Sequence, residues 1–151
     1  MLTLLLNAFH IHLKESEIDS LTQFIKFCLV GVTNTLVSYG VNVLVLFLLK
    51  PYRLTWDYVA GNIVAFLLSV LWSFFWNNKL VFTVEKGQKR NIFSALLKTY
   101  VAYGFTGILL NNVLSYVWIE ILGISKLVAP LINLIVSIPV NYLINKNWAF
   151  K

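Results

Sequence analysis

Charge is scarce in this sequence, and acidic charge scarcest of all. Only 12% of the 151 residues are charged, with six acidic side chains against twelve basic ones. A soluble domain of this size could not hide the apolar surface that such a composition brings. Here 59% of residues are hydrophobic and the mean hydropathy is +0.78, so the outer surface must itself be apolar. That describes an integral membrane protein. Cysteine is nearly absent: Cys28 stands alone within an apolar run, which excludes a disulfide framework and a thiolate metal site. His10 and His12 have no Cys or carboxylate at ligand spacing, so they read as interfacial residues, and neither metal nor cofactor is expected. A Gly-rich phosphate loop, a Ser/His/Asp set and a nucleotide-binding soluble region are all missing, so stand-alone enzymatic activity is not expected. Deep carboxylates are missing too. Asp57 and Glu120 fall at the ends of apolar runs and Glu85 between two of them. A proton-coupled exporter normally needs an intramembrane carboxylate, which disfavours a small multidrug antiporter. Met1–Leu13 has no basic residue ahead of its short apolar stretch and makes a poor signal peptide. It reads instead as an interfacial helix leading into Lys14–Asp19.

What is abundant is long apolar sequence. Four runs stand out, at about 24–49, 59–82, 96–122 and 127–150. Each exceeds the roughly 20 residues needed to cross a hydrocarbon core. Unpaired backbone in lipid costs several kcal/mol per group, so such runs must be helical. The expected fold is an all-α membrane protein with four transmembrane helices, in a domain at 21–151 preceded by an N-terminal segment at 1–20. Lys14, Lys26, Lys79, Lys86, Lys89, Arg90, Lys98, Lys146 and Lys151 fall on one side of the membrane, and Lys50, Arg53 and Lys126 on the other. The positive-inside rule then places both termini and the loop Thr83–Phe93 in the cytoplasm. The net charge of +6 reads as topology and attraction to anionic lipid, with no nucleic acid implied. Tyr52, Trp56, Tyr58, Trp118 and Trp148 are expected near the interfaces as an aromatic belt.

The two halves resemble each other. A shift of 73 lays Phe27, Gly31, Asn34, Ser38 and Asn42 on Tyr100, Gly104, Gly107, Asn111 and Ser115. A shift of 68 lays Ala65, Ser69, Ser73 and Asn77 on Asn133, Ser137, Asn141 and Asn145. Both halves start on the same side, so the expectation is two parallel two-helix repeats, one of the internal symmetries of transporters. Gly31, Gly104 and Gly107 are expected to let helices approach closely.

Residues four apart share a helix face, so each run carries a polar stripe, and Pro139 is expected to interrupt the fourth helix inside its stripe and permit a kink. Bonds between helices are the plain reading of such residues, worth about 0.6 kcal/mol each. The sharper reading is a polar seam that solvates a headgroup, since amides and hydroxyls both donate and accept. Lys26, Lys79, Lys98 and Lys146 lie at the cytoplasmic ends. They read either as topological anchors or as ligands for a lipid phosphate through charge-assisted bonds.

Phe24-Ile-Lys-Phe-Cys-Leu-Val-Gly-Val-Thr-Asn-Thr35 resembles the opening signature of GtrA-like proteins. Asn77–Phe82 and Asn145–Phe150 resemble that family's paired Asn-Arg/Lys-x-Trp-x-Phe endings. The second fits through Asn145, Lys146, Trp148 and Phe150. In the first, Asn78 and Leu80 stand where the basic residue and the Trp belong, and Lys79 is displaced by one. The resemblance implies a four-helix protein of cell-surface polysaccharide synthesis. Such a protein moves a polyprenyl-phosphate-linked sugar across the cytoplasmic membrane, or assists the membrane glycosyltransferase that makes or uses it.

The expectation is therefore a translocase for a lipid-linked sugar. Lys26, Lys79, Lys98 and Lys146 would hold the phosphate, and Asn34, Ser38, Asn42, Asn77, Asn111, Asn141 and Asn145 would line the sugar's route. The alternative is a non-transporting scaffold or accessory subunit of a polyprenyl-phosphate glycosyltransferase. Membrane lipids are the surroundings in either case. Four spans are few to enclose such a path, so a homo-oligomer is expected.

Overall fold

A computed structural model describes residues 14–54, 57–84, 89–125 and 128–151. The expectations for Met1–Leu13 with its two histidines, for Trp56 and the Tyr58 side chain, for Lys86 and for Lys126 lie outside the described residues. Four helices follow in order: α1 (Glu15–Leu49), α2 (Asp57–Trp76), α3 (Ile92–Ile121) and α4 (Ala129–Ile144). All regular structure among the described residues is helical. Glu15–Tyr52, Val59–Val81 and Ile92–Ile121 are long and apolar enough to cross a membrane, while α4 has 16 residues and a five-residue terminal turn. Large apolar side chains such as Leu36, Phe47, Ile108 and Ile135 are exposed along the helices, as lipid contact requires. This is a membrane protein.

Local chemistry sets the helix limits. α1 starts well before Phe24, because Glu17 accepts the Lys14 backbone N–H at 2.8 Å and two acidic residues occupy the positive first turn. Pro51 ends it, having no N–H to continue the ladder, and Arg53 turns away with φ 50°. Asn91 caps α3 by accepting the Ser94 N–H at 3.0 Å. Pro139 does not interrupt α4, which is continuous from Ala129 to Ile144 with the ring on its exposed face. α2 and α4 end alike, in wide turns at Asn77–Val81 and Asn145–Ala149. In each the phenylalanine N–H reaches back five residues to the asparagine carbonyl, Phe82 to Asn77 at 2.7 Å and Phe150 to Asn145 at 2.9 Å.

α1 packs chiefly on α2, and α3 on α4 and its terminal turn. The close approach in the first pair is at Gly61, where a Cβ would stand 3.0 Å from Asn42 Nδ2. A Cβ at Gly31, Gly104 or Gly107 would meet nothing within 4 Å, which corrects their expected role: they leave space rather than close contact. The two pairs join at one end, here called the base, where α1 and α3 begin and α2 and α4 finish. The buried apolar core lies there, built from Phe27, Val30, Phe74, Val81, Phe82, Ala95, Tyr142, Ala149 and Phe150. Phe82 stacks on Phe150 with centroids 4.7 Å apart, Phe74 stacks on Phe150 at 5.5 Å, and Phe82 lies 5.9 Å from Tyr142. Phe150→Ala should therefore destabilise the bundle by about 3–5 kcal/mol, as for other buried phenylalanines. Leu80→Ala, on an exposed position in the neighbouring ending, should change little. Unfolding in detergent titrations compares the two, and equal loss would place the core elsewhere.

Candidate functional site

Away from the base the two helix pairs part, and the polar stripes face the space between them. Ser69, Ser73 and Asn77 along α2 and its ending are buried, as are Asn133, Ser137 and Asn145 along α4 and its ending, whereas Asn34, Ser38, Asn42, Asn111, Ser115 and Asn141 are half-buried. A cavity of about 710 Å³ lies between α1, α3 and α4 and includes Gly31, Asn34, Ser38, Gly107, Asn111, Ser137 and Asn141 in its wall. A second of about 470 Å³ lies between α1, α2 and α3 and includes Asn42, Asn62 and Ser69. The two share Asn34, Thr35, Ser38, Tyr103 and Gly107, so they are the halves of one chamber. The bare walls at Gly31 and Gly107 contribute to its width. Opposite α1, the chamber is bordered by the wide turn Phe105–Leu110 of α3, a helical irregularity common at functional sites.

The hydrogen bonds sort the polar residues by role. Asn133 is fully engaged: its Nδ2 donates to Ser115 Oγ at 2.7 Å and to the Asn111 carbonyl at 3.1 Å, and its Oδ1 accepts from Trp118 Nε1 at 3.0 Å. Trp118 is thus a tie between α3 and α4, close to the end of α3. Asn42 donates to Asn62 Oδ1 at 2.9 Å, and Trp72 to Thr33 Oγ1 at 3.1 Å, tying α1 to α2. By contrast, Asn34 Oδ1 and Asn111 Oδ1 have no partner among the described residues, although both atoms are buried beside the chamber. Asn77 and Asn145 are 0% exposed and line neither half; they sit beneath it, Asn77 donating to Ser73 at 3.1 Å and Asn145 to Asn141 Oδ1 at 2.9 Å, with both Oδ1 atoms unpartnered among the described residues.

The structure separates the four lysines. Lys26 and Lys146 line one pocket of about 410 Å³ at the base, together with Asp19, Gln23 and Thr83. Lys79 lies over the Trp76 ring at 5.5 Å, and Lys98 donates to the Trp148 carbonyl at 3.3 Å while resting over that ring at 5.6 Å.

Several participants escaped the sequence reading. Tyr103 belongs to both halves of the chamber and bonds Ser73 Oγ at 2.5 Å, joining α3 to α2. A tyrosine far from a span end needs a partner for its hydroxyl, and that was the available signal. Arg90 does more than mark orientation. It donates to Asn78 Oδ1 at 2.7 Å and to the Phe82 carbonyl at 2.8 Å, and lies 5.1 Å over the Phe150 ring. A loop arginine thus stands beside Asn78, at the position where the first ending lacks its own basic residue, and it fastens both endings. Partial burial pulls its pKa down from the ordinary value, yet a guanidinium stays charged. Among the described residues, no group of three or more His, Cys, Asp or Glu is placed to hold a metal.

Comparison with known proteins agrees with this layout in extent. Residues 26–150 match the family model for the GtrA/DPMS transmembrane domain. A dolichol-phosphate mannosyltransferase of Pyrococcus furiosus is 34% identical over 137 residues, covering 89% of this chain; the chain spans only 35% of that protein's length. The cell wall teichoic acid glycosylation protein GtcA of Listeria monocytogenes is 28% identical, with 88% of each chain covered. The uncharacterized membrane protein YngA of Bacillus subtilis is 31% identical, over 83% of this chain and 77% of its own. No solved structure matches. From the family match over nearly its whole length, the chain belongs to the GtrA/DPMS transmembrane-domain family.

Proposed function

We propose that this protein translocates a polyprenyl-phosphate-linked sugar across the cytoplasmic membrane for glycosylation of a cell-surface polysaccharide. The observation that carries the reading is the chamber. Its wall sets amides and hydroxyls among apolar side chains such as Val32, Leu134 and Ile138, and Asn34 and Asn111 bring buried acceptors to it that no described group satisfies. An unpaired buried acceptor costs about 1–3 kcal/mol, and sugar hydroxyls or water are donors able to satisfy it. The chamber sits above a pocket with two lysines, which suits a headgroup carrying phosphate beside sugar. The names of two relatives, one in teichoic acid glycosylation and one a dolichol-phosphate mannosyltransferase, support the same substrate class.

In this reading α4 is the fourth span, the helices form two parallel two-helix repeats within 21–151, and both termini are cytoplasmic, with 1–20 as an N-terminal segment. The base is then the cytoplasmic end, consistent with its lysines. The chain performs no chemistry on the sugar itself. Lys26 and Lys146 hold the phosphate, Lys79 and Lys98 attract lipid at the rim, and Asn34, Ser38, Asn42, Asn111 and Asn141 line the route, with Asn77 and Asn145 supporting it from below. A second copy of the chain would close the lipid-facing side.

The alternative is an accessory or scaffolding role for a polyprenyl-phosphate glycosyltransferase. It draws on the Pyrococcus relative, in which the matched part is about a third of a longer protein named as a mannosyltransferase. The two readings separate in cells. Translocation predicts that Asn111→Leu and Asn141→Leu each lower surface glycosylation roughly fivefold or more, the effect of one lost hydrogen bond in transit. It also predicts that Lys86→Glu with Lys89→Glu leaves glycosylation near wild type. A scaffold predicts the reverse, with a glycosyltransferase lost from co-purification in the loop variant. Asn133→Leu distinguishes structural polar residues from lining ones. It should cost about 1–2 kcal/mol of stability through its broken ties, whereas Asn34→Leu should cost little, and thermal unfolding of both variants measures this directly.

A further inference from the structure

We propose that the two-lysine pocket at the base is the phosphate site and that phosphate binding there opens the chamber, because Lys146 also holds the latch that closes it. This inference rests on the translocation reading and assigns its regulation. A single hydrogen-bonded chain crosses the base from α4 to α1 and on to the first ending. Lys146 Nζ donates to Tyr142 OH at 3.3 Å, the Tyr142 hydroxyl donates to Gln23 Oε1 at 2.8 Å, and Gln23 Nε2 donates to the Val81 carbonyl at 2.9 Å. The Ser20 carbonyl, 3.4 Å from the same hydroxyl, is a secondary acceptor.

This chain stands between the two compartments. Gln23, Lys26 and Lys146 line the pocket, whereas the chamber wall begins one turn further in, at Phe27 on α1 and Asn141 on α4. Tyr142 is buried at that level, with its ring in edge contact with Phe27 at 5.5 Å and with Phe24 at 5.2 Å. The aromatic layer closes the way from pocket to chamber, and the Tyr142–Gln23 bond fastens α4 to α1 across it.

A phosphate in the pocket competes for the donors of this chain. A charge-assisted bond from an ammonium to a phosphate oxygen is shorter and roughly twice as strong as a neutral one, so Lys146 leaves the phenol for the anion. The phenol then loses the donor that polarises it, which weakens its own bond to Gln23. Gln23 Nε2 faces the same pocket and can follow. Asp19 at the pocket opposes an anion, but Lys26 and Lys146 leave the three groups net positive. Linkage makes the coupling reciprocal: a protein whose latch is already broken binds phosphate more tightly by the same factor.

Cys28 is the only cysteine and lies in the chamber wall, which provides a reporter independent of transport. In sealed proteoliposomes, its modification by a membrane-impermeant maleimide applied only on the side of the base should be slow in the wild type. Farnesyl phosphate, a short polyprenyl phosphate without sugar, should accelerate it roughly fivefold or more. Tyr142→Phe and Gln23→Met should react fast without the lipid and bind farnesyl phosphate more tightly, while Lys146→Gln should raise the rate without the lipid and lose the response to it. Wild-type rates in both Tyr142→Phe and Gln23→Met, with the proteins folded by size-exclusion elution, would overturn the latch. Farnesyl phosphate that binds without accelerating Cys28 would do the same. Equal acceleration by inorganic phosphate would overturn the lipid-phosphate assignment. If the latch fails while liposome transport persists, translocation stands without it; if Cys28 responds but no lipid crosses, the latch stands and transport fails.

Discussion

The contact on which the architecture depends is the stack of Phe82 on Phe150. Each phenylalanine is brought inward by the same device, a wide terminal turn in which its N–H returns to the carbonyl of a fully buried asparagine five residues earlier. The stack joins the end of the first helix pair to the end of the second. In a membrane, where lipid is as apolar as leucine, packing and hydrogen bonds must supply what water exclusion supplies elsewhere. The protein concentrates both at the base: aromatic rings from all three neighbouring segments, and Arg90 bonded to the first ending while lying over the ring of the second.

Strong joining at one end allows parting at the other. Glycines that would normally bring helices together stand open at Gly31 and Gly107, and the space they leave is occupied by no side chain. The polar groups that line that space, set among apolar side chains, are uncharged. In the proposed translocation, amides without carboxylates would suit a neutral sugar, and the lysines at the base would supply the charge a phosphate needs. Moving a headgroup through lipid is opposed chiefly by the cost of taking an ion out of water. A layout that keeps cationic groups near the interface and hydroxyl-binding groups deeper divides that cost between two places.

Much of this was legible in the residues. The four-residue spacing of Ser69, Ser73 and Asn77, and of Asn133, Ser137 and Asn145, named faces that the fold buries. The paired endings, read as motifs, have the same backbone conformation. Periodicity could not distinguish a polar residue that ties helices, such as Asn133, from one that faces open space, such as Asn34, because both lie on the inner face and differ only in their partners. Nor could it place Gln23, Tyr103 or Arg90, whose roles come from contacts distant in sequence: Tyr142 is 119 positions from Gln23. Counting lysines by side set an expected topology, but it grouped four that the structure divides into a pair within a pocket and two resting on tryptophans.

The central claim is that the chamber conducts a lipid-linked sugar without help from another protein. Its most direct test is the sidedness of a polyprenyl-phosphate sugar in liposomes containing only this purified protein, read with a membrane-impermeant reagent. Translocation predicts that inner-leaflet lipid becomes exposed faster than in empty liposomes, and that Asn141→Leu slows the exposure. Rates equal to those of empty liposomes, with folded protein verified in the same vesicles, would contradict the account.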